Sequence, residues 1–448
     1  MRYNNFIYLL NDSLEKKDIQ LALDAVSTFQ PADMAEVLAK LPHDNALILL
    51  LELSDRAFVF SHLDAEDQVH FAQHMTRATL AEIIGEMPSD KRVDLYKSLT
   101  AEQQDALLPA LAQLEREDIR KLAAYHEGTA GALMSSEYVT LKPEMTVTEA
   151  IRTIRLEAPD RETIYIAYVL DDHRRLIGVI SLKQLILAQE NQIISNLMTK
   201  DVICAEVDLN QVEVVKMIER YDLIAVPIVD EHGEMVGIVT YDDAMDVVIE
   251  EANEDFLKAG AVQASSKINL KTAPINLLYR KRVFWLVFLV FGSLLSGIGI
   301  AHFEEIIAAH IVLVFFLPLL VGSGGNAGSQ SATLMVRALA TGEVGIRDWF
   351  ALMCREVLVA LCLGGTMAIA VSLLGYYRGD AAVSLVLALS MVGIVLLGCI
   401  IGMSLPFILN RLGLDPASAS APLVTSICDA TGVLVYLYIA SLILGLPV

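Results

Sequence analysis

The 448-residue sequence predicts a multi-domain protein with an α-helical N-terminal domain, a duplicated α/β module and an all-α membrane domain of five transmembrane helices. Three observations carry this reading. Residues 276–448 hold eight basic and eight acidic side chains, so the whole net charge of −22 lies in residues 1–275. Five apolar stretches follow residue 282, each long enough for a hydrocarbon core that about 17 to 25 helical residues cross. Between the acidic and the neutral part, a unit of strand, turn, strand and helix occurs twice.

Residues 1–130 show helical periodicity interrupted by turn signals: Pro31 in QPADMAEVLAKLP, Asp64 in LDAEDQ, Ser89 in MPSDKR and Thr100 in LTAEQQ. Asp64, Ser89 and Thr100 are read as N-caps, and Gln103 completes a capping box with Thr100. The apolar run Phe6–Leu10 is too short for a secretory signal and is followed by Asn11, Asp12 and Glu15. The soluble part is therefore expected in the cytoplasm.

Residues 131–253 change rhythm. Strands are expected at Thr163–Leu170, Leu176–Ser181, Ala225–Val229 and Met235–Thr240, with helices starting near Thr146 and Leu209. YVLDDHRRLIGVISLKQL in the first copy answers PIVDEHGEMVGIVTYDDA in the second. The duplication resembles a tandem pair of cystathionine β-synthase (CBS) domains. Gly237, Thr240 and Asp243 of the second copy fit a nucleotide pattern in which the carboxylate meets ribose hydroxyls, whereas Gln184 replaces that acid in the first. Two readings of the pair stay open: an adenine-nucleotide site such as one for ATP, and a purely structural module.

Residues 254–278 form a connecting helix and linker, and 279–448 the membrane domain. Lys267, Lys271, Arg280, Lys281 and Arg282 precede the first apolar segment, which puts the N-terminal side in the cytoplasm by the positive-inside rule. Spans are expected near 283–300, 306–336, 350–375, 381–409 and 421–446. Arg337, Arg347 and Arg411 then fall inside, Arg378 falls outside, and the C-terminus lies outside.

Composition also excludes partners. A strongly acidic surface repels nucleic acid and anionic headgroups and attracts divalent cations. The five cysteines form no CxxC pair and read as reduced core residues.

The membrane domain carries the chemistry. Asp429 is a lone carboxylate in an apolar stretch, and such a group costs about 3 kcal/mol on insertion scales unless it faces a bundle interior or a wet path. Thr425, Asp429, Gly432 and Tyr436 share one helical stripe, expected to face a pore. A packing pair with Arg355 or His310 is the alternative for Asp429. In the second span, Pro318 precedes LLVGSGGNAGSQSAT, where Gly322, Gly324, Gly325 and Gly328 alternate with polar residues. This pattern predicts a broken helix with freed carbonyls beside the carboxylate; small residues serving only helix packing are the alternative. Asp243, Asp246, Glu250 and Glu254 recur on one face of the helix leaving the second repeat, flanked by Glu251 and Asp255. Such like charges repel by a few tenths of a kcal/mol per pair, which a bound cation relieves, although a solvated face explains the run equally well.

PLLVGSGGNAGSQSATLMVRALATGEV, with one aspartate in the fifth span and this domain order, resembles the MgtE family of magnesium channels and transporters. Ser329 stands where the family often has Asn. The resemblance implies a Mg2+-selective, homodimeric pore on a two-fold axis in a bacterial inner membrane, and no enzymatic activity. It implies pore roles for Asp429, Asn326, Thr333, Thr425, Gly325, Gly328 and Gly432. It further implies cytosolic Mg2+ ligands at Asp90, Asp94, Asp222, Asp243, Asp246, Glu251, Glu254, Asp255 and Asp415, which close the pore when internal Mg2+ is high. Two other functions remain: a proton- or Na+-coupled divalent-cation transporter, and an intramembrane aspartyl protease. The second needs two aspartates sharing a proton, and Asp429 is the one carboxylate expected deep in a span.

Overall fold

The computed structural model describes residues 2–263, 273–378 and 380–445; Lys267 and Lys271 of the basic link lie outside the described residues. The chain divides into two compact units, Met1–Val248 and Ile249–Val448.

The first unit opens with short helices, from Arg2–Glu15 to Gln113–Ala123, that bury Leu49, Leu50, Phe60, Ile83 and Ile84 completely. Pro31 occupies the first helical turn of Pro31–Leu38, where a missing N–H is harmless. Thr100 and Gln103 form the expected capping box. Asp64 sits at an N-cap without a side-chain hydrogen bond to the backbone. Ser89 departs from expectation: Pro88 takes the cap, and Ser89 Oγ lies 3.0 Å from Ser135 Oγ and accepts the Ser136 N–H at 2.9 Å. The hydroxyl thus stitches this helical region to the start of the repeat.

Each repeat forms a three-stranded sheet: β1 (Tyr138–Leu141), β2 (Thr163–Leu170) and β3 (Leu176–Ser181), then β4 (Ala205–Glu206), β5 (Ala225–Val229) and β6 (Met235–Thr240). The four longer strands fall where period-two alternation predicts them. β1 and β4 were not legible because they are only four and two residues long, too short for a period to show. Both pair parallel to the following strand, β2 or β5, which then turns back antiparallel. Tyr138, Tyr168, Ala225, Met235 and Ile238 pack into one core from both repeats, closed by the Tyr138 hydroxyl donating to the Met235 carbonyl at 2.9 Å.

The second unit holds five helices long and apolar enough to cross a membrane: Ile275–His302, Val312–Ala340, Trp349–Arg378, Ala381–Arg411 and Ala421–Leu444. The fourth is central and buries Val386, Leu387, Ser390, Met391 and Val395. Contrary to the expected break, the second helix is continuous over 29 residues, through Pro318 and the glycine cluster. Packing explains why. A Cβ on Gly398 would collide with the Gly324 carbonyl, and one on Gly402 with the Gly328 carbonyl, so two glycine pairs spaced by four let the second and fourth helices cross at backbone contact. Ser323, Ser331 and Thr333 bond back along the helix, Ser323 to the Leu319 carbonyl at 2.7 Å and Thr333 to that of Ser329 at 2.8 Å, while Ser329 donates to the Ala421 carbonyl at 3.5 Å, so each hydroxyl has an acceptor.

The cysteines also depart in part from the core reading. Cys399 and Cys428 are buried, but Cys204, Cys354 and Cys362 are exposed. The last two lie on the third long helix, whose outer side is apolar without being covered.

A glycine at a backbone crossing tolerates no side chain. Gly402→Val is expected to destabilise the membrane domain by about 1–3 kcal/mol, in the range for overpacking. Gly365→Ala, with open space around it, is expected to leave stability unchanged. Thermal unfolding of the detergent-solubilised protein distinguishes the two.

Candidate functional site

The glycine crossing fixes what faces Asp429. A Cβ built on Gly325 would lie 3.2 Å from Thr425 Cγ2 and 3.6 Å from Asp429 Oδ1, so the bare backbone of the second helix abuts the threonine methyl and the carboxylate of the fifth. Asp429 is half-buried, and among the described residues no cation or hydrogen-bond donor meets it. The alternative of a pair with Arg355 or His310 is not found. Thr425 donates to the Pro422 carbonyl at 2.9 Å. Asn326 and Thr333 are exposed on the second helix.

Other residues of the expected pore set pack instead. Gly328 is buried 2.8 Å from the Gly398 carbonyl and 2.9 Å from Cys428 Sγ, measured from its added Cβ, and Gly432 is buried near Ile394. Tyr436 is fully buried and donates to the Leu313 carbonyl at 2.9 Å. The stripe Thr425, Asp429, Gly432, Tyr436 is therefore half-open at its first two members and closed at its last two.

Glu356 is a second carboxylate within a long apolar helix, overlooked because it lies only seven residues inside the Trp349–Arg378 helix. It accepts a 2.5 Å hydrogen bond from Ser331 of the second helix. No sequence spacing links it to Ser331, and only the fold reveals its serine partner.

In the first unit the acidic set gathers around a lysine. Lys91 Nζ lies 3.5 Å from Asp90, 3.7 Å from Asp243 and 3.3 Å from Asp246. Asp90 and Asp243 are buried, and Asp90 Oδ1 has no hydrogen-bond partner. Thr240 donates to Asp243 at 2.6 Å. Burial first, then the Asp90 charge, pushes Asp243 up to about 7, while burial and the charges of Asp90, Asp243 and Glu137 push Glu162 up to about 8. Asp94 and Asp222 are exposed, the latter in the left-handed conformation at φ 51° as the C-cap of Gln211–Tyr221. Neither Lys91, Glu137 nor Glu162 was legible as part of this cluster, because no spacing links residues 91, 137, 162 and 243.

In the second unit Lys258 plays a parallel part. Its ammonium lies 2.7 Å from Glu254 and 2.6 Å from Asp415. Burial opposes that charge, but the two carboxylates hold the ammonium above its ordinary value; burial and the Asp415 charge raise Asp255. Among the described residues no group of three or more His, Cys, Asp or Glu side chains is arranged to hold a metal.

Five long apolar helices, following a helical N-terminal region and a tandem CBS pair in the sequence, define a multi-span membrane protein. Residues 317–439 match the divalent cation transporter domain MgtE, 29–128 the MgtE intracellular N domain, and 130–191 and 194–250 CBS domains. The magnesium transporter MgtE of Thermus thermophilus is 37% identical over 97% of this chain and 98% of its own. That of Bacillus subtilis is 31% identical over 98% of each. The crystal structure of the cytosolic domain of the Mg2+ channel MgtE in complex with ATP is 34% identical, with a TM-score of 0.52, over 54% of this chain and 99% of that one. The chain belongs to the MgtE family.

Raised carboxyl values carry a sign. Glu162 and Asp243 hold protons more tightly in the folded junction than in an unfolded chain, so the junction is most stable below the ordinary carboxylate range and loses stability as pH rises from there to about 7 to 8, where the loss is complete. Lys91 works in the opposite direction on Asp243. Hydrogen exchange in the Ser89–Ser98 helix, corrected for intrinsic rates, is expected to quicken between about pH 5 and 8 and to level off above that. Glu162→Gln is expected to flatten that dependence; an equally steep profile in the variant would contradict the assignment.

Proposed function

We propose that the protein is a homodimeric, Mg2+-selective channel that admits Mg2+ across a bacterial inner membrane and closes when cytosolic Mg2+ is high. The observation that carries this reading is Asp429, a carboxylate in an apolar helix with no cation beside it among the described residues, set against the bare backbone of Gly325. Its match over nearly full length to magnesium transporters names the ion.

One carboxylate is too little for a divalent ion. Two copies meeting on a two-fold axis supply two negative charges, and Mg2+, which dehydrates reluctantly, keeps most of its water there. Thr425 beside Asp429, with Asn326 and Thr333 on the second helix, offers oxygens to that water. Gly325 keeps the path clear of side chain, and Gly328 and Gly432 hold the helices that frame it. The membrane potential drives entry with about 4.6 kcal/mol per divalent ion at 100 mV, twice the single-charge value. The N-terminal domain (1–130), the CBS pair (131–253) and the connecting segment (254–278) lie in the cytoplasm, the five-helix domain (279–448) in lipid, and the C-terminus outside.

Gating follows from linkage. Asp90, Asp94, Asp222, Asp243, Asp246, Glu251, Glu254, Asp255 and Asp415 repel one another when Mg2+ is scarce. Mg2+ binds the compact arrangement better and shifts the population toward it. A nucleotide at the CBS pair is a second ligand reading, favoured by the ATP complex of the solved relative. It requires Asp243 to leave Thr240 and Lys91. Coupling to a proton or Na+ instead of passive flow is the alternative mechanism; current reversing at the Mg2+ equilibrium potential at any pH or Na+ gradient supports the channel.

Asp429→Ala is expected to abolish Mg2+ uptake into liposomes while the dimer persists on size-exclusion chromatography; retained uptake overturns the pore assignment. Joint neutralisation of Asp243, Asp246, Glu251 and Glu254 is expected to leave uptake active at millimolar internal Mg2+, and normal shut-off contradicts the sensor.

A further inference from the structure

We infer that Lys91 is a tethered counterion that fills one of the proposed sensor's cation positions, so that this position closes without Mg2+; the inference rests on the sensor reading above. Three carboxylates surround the Lys91 ammonium within 4 Å, and they come from two elements more than 150 residues apart, Asp90 with Lys91 itself on Ser89–Ser98 and Asp243 with Asp246 on the helix Tyr241–Ala259. An ammonium with three donors links those elements as a divalent ion would. Burial opposes its charge, yet Asp90, Asp243 and Asp246 together hold it protonated above the ordinary lysine value.

The two cations exclude each other. Mg2+ demands six oxygens at about 2.0–2.1 Å in near-ideal octahedral geometry, and oxygens already turned to an ammonium at 3.3 to 3.7 Å do not meet that demand. Placing a divalent ion beside the ammonium adds cation repulsion. The buried, unpartnered Oδ1 of Asp90 shows that the cluster retains acceptor capacity that one ammonium does not exhaust. Lysine thus offsets part of the repulsion among Asp90, Asp243 and Asp246 at every Mg2+ concentration, whereas an ion offsets it only when bound.

Lys258 repeats the arrangement independently. It bridges Glu254, four residues earlier on its own helix, and Asp415, 157 residues away in sequence. Two of the clusters that the sensor reading gives to Mg2+ therefore contain a resident ammonium. With both in place, fewer ions are needed to compact the acidic part, and shut-off depends on Mg2+ less steeply than the number of carboxylates suggests.

The test uses purified full-length protein in nanodiscs, with Lys91→Met, Lys258→Met and Lys91→Arg. Proteinase K protection of the soluble part is followed from zero to 20 mM Mg2+, and bound Mg2+ is counted by equilibrium dialysis. Lys91→Met is expected to be cleaved roughly threefold faster without Mg2+, in keeping with a partly exposed ion pair. It is also expected to bind about one more Mg2+ per protomer and to show a steeper protection curve. Lys91→Arg is expected to follow the wild type, and Lys258→Met to behave as Lys91→Met does. Unchanged cleavage with unchanged Mg2+ stoichiometry in Lys91→Met, while the wild type still responds to Mg2+, overturns this inference alone. A wild type whose protection ignores Mg2+ overturns the sensor reading and this inference together.

Discussion

A carboxylate removed from water must find a positive charge, a proton or enough hydrogen bonds, and this chain meets that requirement in two opposite ways. In the soluble part, lysines are built in: Lys91 among Asp90, Asp243 and Asp246, and Lys258 between Glu254 and Asp415. In the apolar helices, Glu356 takes the hydroxyl of Ser331, while Asp429 takes nothing from the described residues. Desolvation of an unpaired charge is the largest unfavourable electrostatic cost a fold can carry. Asp429 is therefore the carboxylate that the proposed function gives to the transported ion.

The glycine crossing is what makes that exposure stable. Gly324 and Gly328 against Gly398 and Gly402 bring the second and fourth helices to backbone contact, where dispersion and close packing replace the hydrophobic driving force that lipid cannot supply. Tyr436 bonds the fifth helix to the second at Leu313, so the helix bearing Asp429 is held in its C-terminal half by packing. The polar face can then stay half-open beside Gly325 without loosening the bundle.

What was legible in the sequence was what repeats locally. The four longer strands announced themselves by alternation and the capping box by Thr100 and Gln103, because each signal is contained within a few residues. The glycine cluster was misread as a break because glycine frees backbone in isolation; only the facing glycines at 398 and 402, some 70 residues on, turn that freedom into packing. Ser89 was misread for a similar reason, since its partners Ser135 and Ser136 lie 46 and 47 residues away. Asp429 stood out because an apolar helix makes one charge conspicuous, whereas Lys91 and Lys258 were hidden among the many charges of an acidic region. A cation is seen to matter there only once three-dimensional neighbours are known.

On the proposed function one ion is both cargo and signal, and the two kinds of acidic site divide those tasks. A transport site must bind weakly enough to release, which a carboxylate reading a hydrated ion through its water achieves. A sensing site must convert occupancy into a change of shape, which requires carboxylates on elements that can separate. Ser89–Ser98 and Tyr241–Ala259 belong to different parts of the sequence and meet through charged groups at Lys91, which is why the proposed function places the sensor there. On the proposed gating, fixed ammonium ions lower the repulsion that would drive separation, and the remaining acidic charge, rather than its total, would set how much Mg2+ a closed state needs.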